Sequence, residues 1–350
     1  MIPSLLDKTS MKPTTPSILR DRELRGTRDM HFSRLERLYA GQRLDRVFAL
    51  AGVTGCGQCN PYLEPEQWAD EALDDLAAKA DALRDQNVFR PLVFSLNDIG
   101  FYGVHFIDRI LGAEVFELRD EKGNWQVNLL RKPVGSLKPP DLANNPTWQL
   151  AQRLAAAFLH AGLSVPLFGM PCLSSVLNVG LNLYGQELLV AMITDPVAAH
   201  RDMRIINDLL CTLHRWYRRT IPVSQLQPVV TCGRAQPPGY GQLCGCSTQL
   251  VSAELYRHFI APFDGELLSA QPRGGMIHLC GAHAQHIPAW REMENLRAIQ
   301  VNDRAAEDLE LYFDGLRDDQ ILYVNPCEKM PFERIMDITG GRRLVVAADI

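Results

Sequence analysis

The run Gly274-Gly275-Met276-Ile277-His278-Leu279-Cys280-Gly281 has the composition of a buried strand that ends in two metal-binding side chains. Residues i and i+2 of a strand project to the same side of a sheet, so His278 and Cys280 are predicted to point together from one strand end. An imidazole and a thiolate at this spacing suit a borderline metal such as zinc. The alternative is a buried thiol beside a core histidine, because two ligands make only half of a zinc site.

The chain around this run alternates short β-rich runs with amphipathic helices, which is typical of βαβ crossovers and a parallel sheet. Eight such runs are the number that closes a (β/α)8 TIM barrel. The sequence therefore predicts an α/β fold in which a single barrel spans residues 31–350. The predicted strands are 46–52, 90–96, 165–170, 226–232, 275–280, 297–301, 320–325 and 344–348, and the predicted helices include 32–39, 65–83, 148–159, 196–217, 253–268, 305–316 and 331–339.

Two segments stand apart from this alternation. The turn-forming residues 120–124 lie between the β-rich runs 114–118 and 125–130 and predict a β-hairpin inserted into the barrel. Residues 1–30 are rich in proline, threonine and arginine and lack periodicity. They are predicted to form an N-terminal arm, either loose or packed on a partner subunit, so a homodimer is one option.

Composition narrows the class of protein. The chain has 350 residues, 46% hydrophobic and 22% charged, with a formal net charge of -5. It contains no basic tract with interleaved aromatic residues, so we expect no nucleic-acid partner. Residues 1–6 do not resemble a signal peptide, and no apolar run approaches the length of a membrane span. The nine cysteines are odd in number and widely spread, which favours reduced thiols in a cytoplasmic protein.

The cysteines gather at the predicted strand ends. Barrel enzymes build their sites at the carboxyl ends of the strands, and eight of the nine cysteines lie at or beyond the carboxyl end of a predicted strand. Only Cys211 lies inside a predicted helix, whereas cysteines that merely pack would be scattered. This clustering favours a metal or thiolate site over the structural alternative for His278 and Cys280.

Cys327, at the end of the seventh strand, is the best candidate for a third ligand, because three protein ligands plus an open position form a catalytic zinc site. Each of the remaining candidates has a structural alternative, such as a loop residue or a helix cap. Asp98 is a candidate acid after the second strand, and the possible additional ligands are Cys56, Cys59, Cys244, Cys246 and Asp303. His283 and His286 are predicted on the next helix, with at most one facing the site.

The segment 277–281, preceded by Ser252-Ala253-Glu254-Leu255-Tyr256-Arg257 and Ile260-Ala261-Pro262-Phe263, resembles the uroporphyrinogen decarboxylase superfamily. It is most similar to the zinc-dependent corrinoid methyltransferase branch, whose motif is HxCG with a later cysteine. The runs 34–41, 94–98 and 194–196 fit the same pattern in order. The resemblance implies a barrel, with His278 and Cys280 as zinc ligands and Asp98 at the position of the family's central acid.

Two departures qualify this resemblance. The last strand region, 345–349, lacks the branch's distal cysteine, for which Cys327 is a candidate substitute. The loop 52–59 lacks the arginines with which true decarboxylases hold an acidic tetrapyrrole, which argues against uroporphyrinogen as the substrate.

The function expected from the resemblance is methyl transfer from a methylated corrinoid on a partner protein to a small thiol or similar acceptor. Zinc held by His278, Cys280 and Cys327 would bind that acceptor. One alternative is a metal-free, decarboxylase-like lyase that uses Asp98. A further alternative is a non-catalytic barrel that binds a corrinoid, a tetrapyrrole or a metal.

Overall fold

The structure is a computed structural model that describes residues 16–52, 64–95, 102–118, 125–171, 173–227 and 234–347. Short parallel strands alternate with helices, which confirms the predicted α/β class. The strands are β1 Phe48–Leu50, β2 Val88–Phe89, β3 Val93–Ser95, β4 Val115–Glu117, β5 Trp125–Val127, β6 Leu167–Gly169, β7 Leu226–Gln227, β8 Gly241–Cys244, β9 Gly275–Cys280, β10 Leu296–Asn302, β11 Ile321–Val324 and β12 Leu344–Ala347.

The helices lie between these strands. They are α1 Arg22–Tyr39, α2 Pro65–Ala78, α3 Phe106–Ile110, α4 Pro146–His160, α5 Val176–Tyr184, α6 Gln186–Thr194, α7 Pro196–Thr220, α8 Ala253–Leu255, α9 Ala261–Leu268, α10 Ile287–Glu292, α11 Arg304–Glu307, α12 Leu309–Gly315 and α13 Phe332–Thr339. A π-helical turn, Tyr256–Ile260, joins α8 to α9. No single helix in the described ranges has the length and apolar composition to cross a bilayer. Helices α5 and α6 reach that length and composition only when they are taken together, and they meet at a bend of 109°.

The parallel strands form two sheets. The larger has seven strands in the order β2-β1-β12-β11-β10-β9-β8, and the smaller has the order β3-β6-β7. Only residues 90–92 separate β2 from β3, so the sheets share one border. At the other border, Gln227 on β7 donates from Nε2 to the carbonyl of Gln236, five residues before β8, at 3.0 Å. Closure into an eight-stranded barrel stays a prediction, because hydrogen bonds among the described residues leave two sheets.

Each of the eight predicted strand runs overlaps an observed strand, and β9 coincides with its predicted run. Strands β2 and β8 and helices α3, α5 and α6 were not predicted. The inserted hairpin is confirmed, since β4 and β5 pair antiparallel with Glu117 opposite Trp125. The described part of the fourth run is β7 alone, because residues 228–233 lie outside the described ranges.

The first helix is longer than predicted, because α1 begins at Arg22 and not near Phe32. Asp21 caps the helix by accepting hydrogen bonds from the backbone amides of Glu23 and Leu24. Arg28 lies on the buried face and donates to the carbonyl of Ser164 at 2.6 Å. The buried face therefore includes polar residues whose partners are distant in sequence, so hydrophobic periodicity could not reveal it.

Candidate metal centre

Strand pairing brings the candidate ligands together at the carboxyl ends of β8 and β9. Cys244, the last residue of β8, pairs in register with His278 on β9. The amide of Gly245 donates to the carbonyl of His278 at 2.8 Å, which fixes the turn that carries Cys246. Cys280 lies two residues beyond His278 and projects to the same side of the strand. Residues from two neighbouring strands therefore meet at one strand end.

The distances match a cluster of soft ligands. The ligand atoms of Cys244, Cys246 and His278 all lie within 4.8 Å of one another. The two sulfurs of Cys244 and Cys246 are 3.4 Å apart, and Cys280 Sγ is 3.2 Å from His278 Nε2. Ligands on a tetrahedral zinc with bonds of about 2.3 Å to sulfur lie roughly 3.8 Å apart, so small movements would complete such a shell. This donor set fits zinc.

The three thiols differ in their affinity for a proton. A hydrogen bond with Cys246 lowers the pKa of Cys280 to about 4 against the opposing effect of burial. The same kind of bond with Cys246 lowers the pKa of Cys244 to about 6. Cys246 lies between these two sulfurs, and its own pKa is raised by its hydrogen bonds to Cys244 and Cys280. The cluster thus holds thiolates that favour binding of a cation.

His278 is oriented through its other ring nitrogen. Gln300, opposite His278 on β10, donates from Nε2 to Asn325 Oδ1 at 2.5 Å, so its Oε1 faces the imidazole and accepts the Nδ1 hydrogen. Nε2 then carries the lone pair, which accepts a hydrogen bond from Arg234 Nη2 at 3.1 Å. This arrangement resembles the outer-shell hydrogen bonding that orients histidine ligands of metals.

Side-chain amides hold the sulfurs in place. Asn178 on α5 donates from Nδ2 to Cys244 Sγ at 3.4 Å, and its Oδ1 accepts from the amide of Ser247 at 3.1 Å. On the other side, Asn302 pairs with Cys280 across β10 and β9, and its Nδ2 lies 3.9 Å from Cys280 Sγ. The thiols are therefore flanked by donors that favour the thiolate form.

The structure brings together some of the predicted site residues and not others. Cys327 is outside the described group of ligand atoms that lie within 4.8 Å of one another. It lies three residues beyond β11, two strands from β9, in a turn where its amide donates to the carbonyl of Met330 at 3.1 Å. Two predicted secondary candidates, Cys244 and Cys246, are in the group instead. Asp98, Cys56 and Cys59 fall outside the described residues.

Asp303 precedes α11, but its side chain makes no capping hydrogen bond, so the structural alternative considered for it is not borne out. Its Oδ2 instead accepts from Asn302 Nδ2 at 3.3 Å. Both nitrogens of His283 are engaged, with Thr248 Oγ1 at 2.9 Å and the carbonyl of Cys280 at 2.6 Å. His286 Nε2 donates to the carbonyl of Thr248 at 2.9 Å. These two buried histidines brace the loop after β8 and do not supply ligands to the cluster.

Sequence reasoning missed Arg234, Asn178 and Gln300, which contact the ligands. Gln300 could have been found from the sequence, because it is a polar residue in the middle of the apolar strand β10. No sequence pattern pointed to Arg234 or Asn178, because Arg234 lies in a loop and Asn178 on a helix that were not predicted.

No protein-family model and no curated protein matches this sequence. By its three-dimensional structure, the chain is similar to a solved methyltransferase from Methanosarcina mazei, with a TM-score of 0.61 and 15% sequence identity. The match covers 91% of this chain and 93% of that chain. At this identity, the likeness establishes a shared fold and not a shared activity.

Proposed function

We propose that this protein is a zinc-dependent methyltransferase that moves a methyl group from a methylated corrinoid to a thiol acceptor. The observation that carries the proposal is the convergence of three thiols and an imidazole at the carboxyl ends of two neighbouring parallel strands. The fold is shared with a methyltransferase over nearly the whole chain. The HxCG motif at His278 supports the corrinoid methyltransferase branch of the uroporphyrinogen decarboxylase superfamily, and with it a closed barrel and a corrinoid delivered by a partner protein.

In this proposal, Cys244, Cys246 and His278 hold the zinc. They provide the three protein ligands of a catalytic site, and Cys280 offers a fourth donor that the acceptor thiol could replace. When bound, zinc would lower the pKa of the acceptor thiol and hold it as a nucleophilic thiolate.

The residues around the ligands contribute binding and orientation. Gln300 fixes the tautomer of His278, so the lone pair stays on the nitrogen that faces the thiols. Zinc on this nitrogen would displace the hydrogen bond from Arg234, and the guanidinium released beside the site would attract an acceptor that carries a negative charge as well as a thiol. A small anionic thiol is therefore the acceptor class that the site favours.

Zinc stoichiometry of purified variants tests the ligand assignment. We expect about one zinc per chain in the wild type and in the variants Cys327→Ser and Cys211→Ala, and a large loss in Cys246→Ser and His278→Ala. Cys211 is a matched control because it is a buried thiol in α7, remote in sequence from the cluster. If Cys246→Ser kept its zinc and Cys327→Ser lost it, the result would contradict this assignment and favour the ligands predicted from the sequence.

Activity is tested by demethylation of methylcobalamin, followed by its absorbance, with 2-mercaptoethanesulfonate or 2-mercaptoethanol as the acceptor. We expect zinc-dependent turnover, faster with the anionic thiol. A decarboxylase-like lyase would instead act on a carboxylated substrate and keep its activity in a chelator. A zinc-loaded protein that binds neither thiol would contradict the proposed reaction.

A further inference from the structure

Two of the candidate ligands, Cys244 and Cys246, are separated by a single residue and face each other. Their sulfurs are 3.4 Å apart. Both side chains are partly exposed, whereas Cys211 in α7 is a buried thiol. Two thiols that meet at this distance and are open to solvent can be joined by a small oxidant as well as bridged by a metal.

The turn between these two cysteines is fixed by Gly245. Its backbone angles, φ -100° and ψ 15°, place the α-carbons of residues 244 and 246 roughly 5.5 Å apart, inside the range of about 4.4–6.8 Å that disulfides require. The Gly245 amide donates to the carbonyl of His278 at 2.8 Å. A Cβ atom at residue 245 would lie 2.8 Å from Ile277 Cγ2, so β9 confines this turn to a glycine. The turn therefore holds the two thiols ready to pair.

The third thiol of the cluster is held by different contacts. Cys280 shares a hydrogen bond with Cys246, but its sulfur is also 3.2 Å from His278 Nε2 on its own strand and 3.9 Å from Asn302 Nδ2 on β10. Cys244 and Cys246, in contrast, belong to one continuous turn. Cys246 is therefore expected to pair with Cys244 and to leave Cys280 as a thiol.

We propose that Cys244 and Cys246 form a reversible disulfide with hydrogen peroxide as the oxidant, and that this bond expels the zinc. One thiolate attacks a peroxide oxygen, so an S–O bond forms, the O–O bond breaks and hydroxide leaves. The second thiolate attacks the oxidised sulfur, so the S–S bond forms and a second hydroxide leaves. The two sulfurs together lose two electrons, which reduce the two peroxide oxygens.

The effect on the metal rests on the proposed function, in which Cys244, Cys246 and His278 hold the zinc. The thiolate is the metal ligand, and a disulfide sulfur is not. Closure of the bond brings the sulfurs from 3.4 Å to about 2.05 Å and removes two of the three protein ligands at once. His278 and Cys280 alone are half of a zinc site, so the metal leaves. The cluster is thus an oxidation site that switches off the metal centre and is reset by a reductant.

Tryptic cleavage separates the possible pairings. Cys244 and Cys246 lie on one peptide, 235–257, whereas Cys280 lies on another, 274–291. A bond between Cys244 and Cys246 leaves the first peptide unlinked, lighter by two hydrogens and closed to alkylation. A bond between Cys246 and Cys280 joins the two peptides.

The experiment treats the zinc-loaded full-length protein with hydrogen peroxide, measures free zinc with a chelating dye, and maps alkylated peptides by mass spectrometry. We expect release of about one zinc per chain together with the internal disulfide in peptide 235–257. A phosphine reductant followed by zinc should restore the starting zinc content. Cys327→Ser and Cys211→Ala are matched controls that should release zinc like the wild type, and Cys280→Ser should still form the internal disulfide.

A cross-link between peptides 235–257 and 274–291 would overturn the proposed pairing. Retention of zinc, with both cysteines of peptide 235–257 alkylated, would overturn the switch and leave the methyltransferase proposal standing. The expected disulfide and zinc release, in a protein that does not demethylate methylcobalamin before oxidation, would support the switch and overturn the proposed reaction. A protein that binds no zinc would overturn both.

Discussion

The substitution Gly275→Ala tests the idea that the approach of β8 to β9 builds the metal centre. A methyl group at residue 275 would lie 2.3 Å from the carbonyl oxygen of Gly241, its partner on β8, and 2.6 Å from the carbonyl carbon. The first distance is roughly 1 Å shorter than non-bonded contact allows. Both atoms belong to the backbone, so no side-chain rotation can relieve the clash and the strands must separate.

A separation of the strands at Gly275 would also displace the metal ligands, because β8 and β9 are paired in continuous register from Gly275 to His278. Three residues beyond Gly275 is His278, and three residues beyond Gly241 is Cys244, which pairs with it. Overpacking of this kind costs about 1–3 kcal/mol of folding stability. Displacement of ligands is expected to weaken metal binding by at least the 10- to 100-fold seen when supporting groups are lost.

The assay measures urea unfolding and zinc affinity for Gly275→Ala beside Gly265→Ala. Gly265 lies inside α9, and a methyl group there meets nothing within 4 Å. Its substitution should stabilise the protein by about 0.5–1 kcal/mol and leave zinc affinity unchanged. If Gly275→Ala unfolds at the wild-type urea concentration and binds zinc as tightly, the close approach of the strands does not determine the site.

In metal-free protein, iodoacetamide should alkylate Cys280 at pH 6 roughly two- to fivefold faster than an ordinary exposed thiol. Its pKa of about 4 gives about 300-fold more thiolate, and the weaker nucleophilicity of that thiolate offsets most of this gain. Cys211, whose pKa burial raises to about 11, should stay unmodified, and a Cys280 rate proportional to hydroxide from pH 5 to 8 would contradict the assignment. Burial raises the pKa of Asp264 to about 7, and a hydrogen bond from Tyr256 opposes this shift. The protonated side chain therefore favours the folded state. This contribution to stability is fully present below the unfolded-state pKa of 3.8 and is lost as the pH rises to about 7. Asp264→Asn should therefore gain stability over wild type by up to about 1.4 kcal/mol per pH unit across that window, and equal differences in urea unfolding at pH 5 and pH 8 would refute this.

The sequence predicted the parts of the fold that depend on local pattern. Eight β-rich runs between amphipathic helices were enough to predict parallel strands, and β9 was located residue by residue. His278 and Cys280 could be placed on one side of a strand end because the two-residue repeat is a property of any strand. The clustering of cysteines at strand ends likewise followed from their positions along the chain.

Only the tertiary structure decided which thiols join His278. Strand β8 is a four-residue run, Gly241–Cys244, that was not predicted, and its register with β9 is what sets Cys244 beside the imidazole. Helix α5 was also not predicted, although it carries the amide that contacts Cys244. The physical reason is that a short strand and a polar helix face are stabilised by partners distant in sequence, and local periodicity contains no information about those partners.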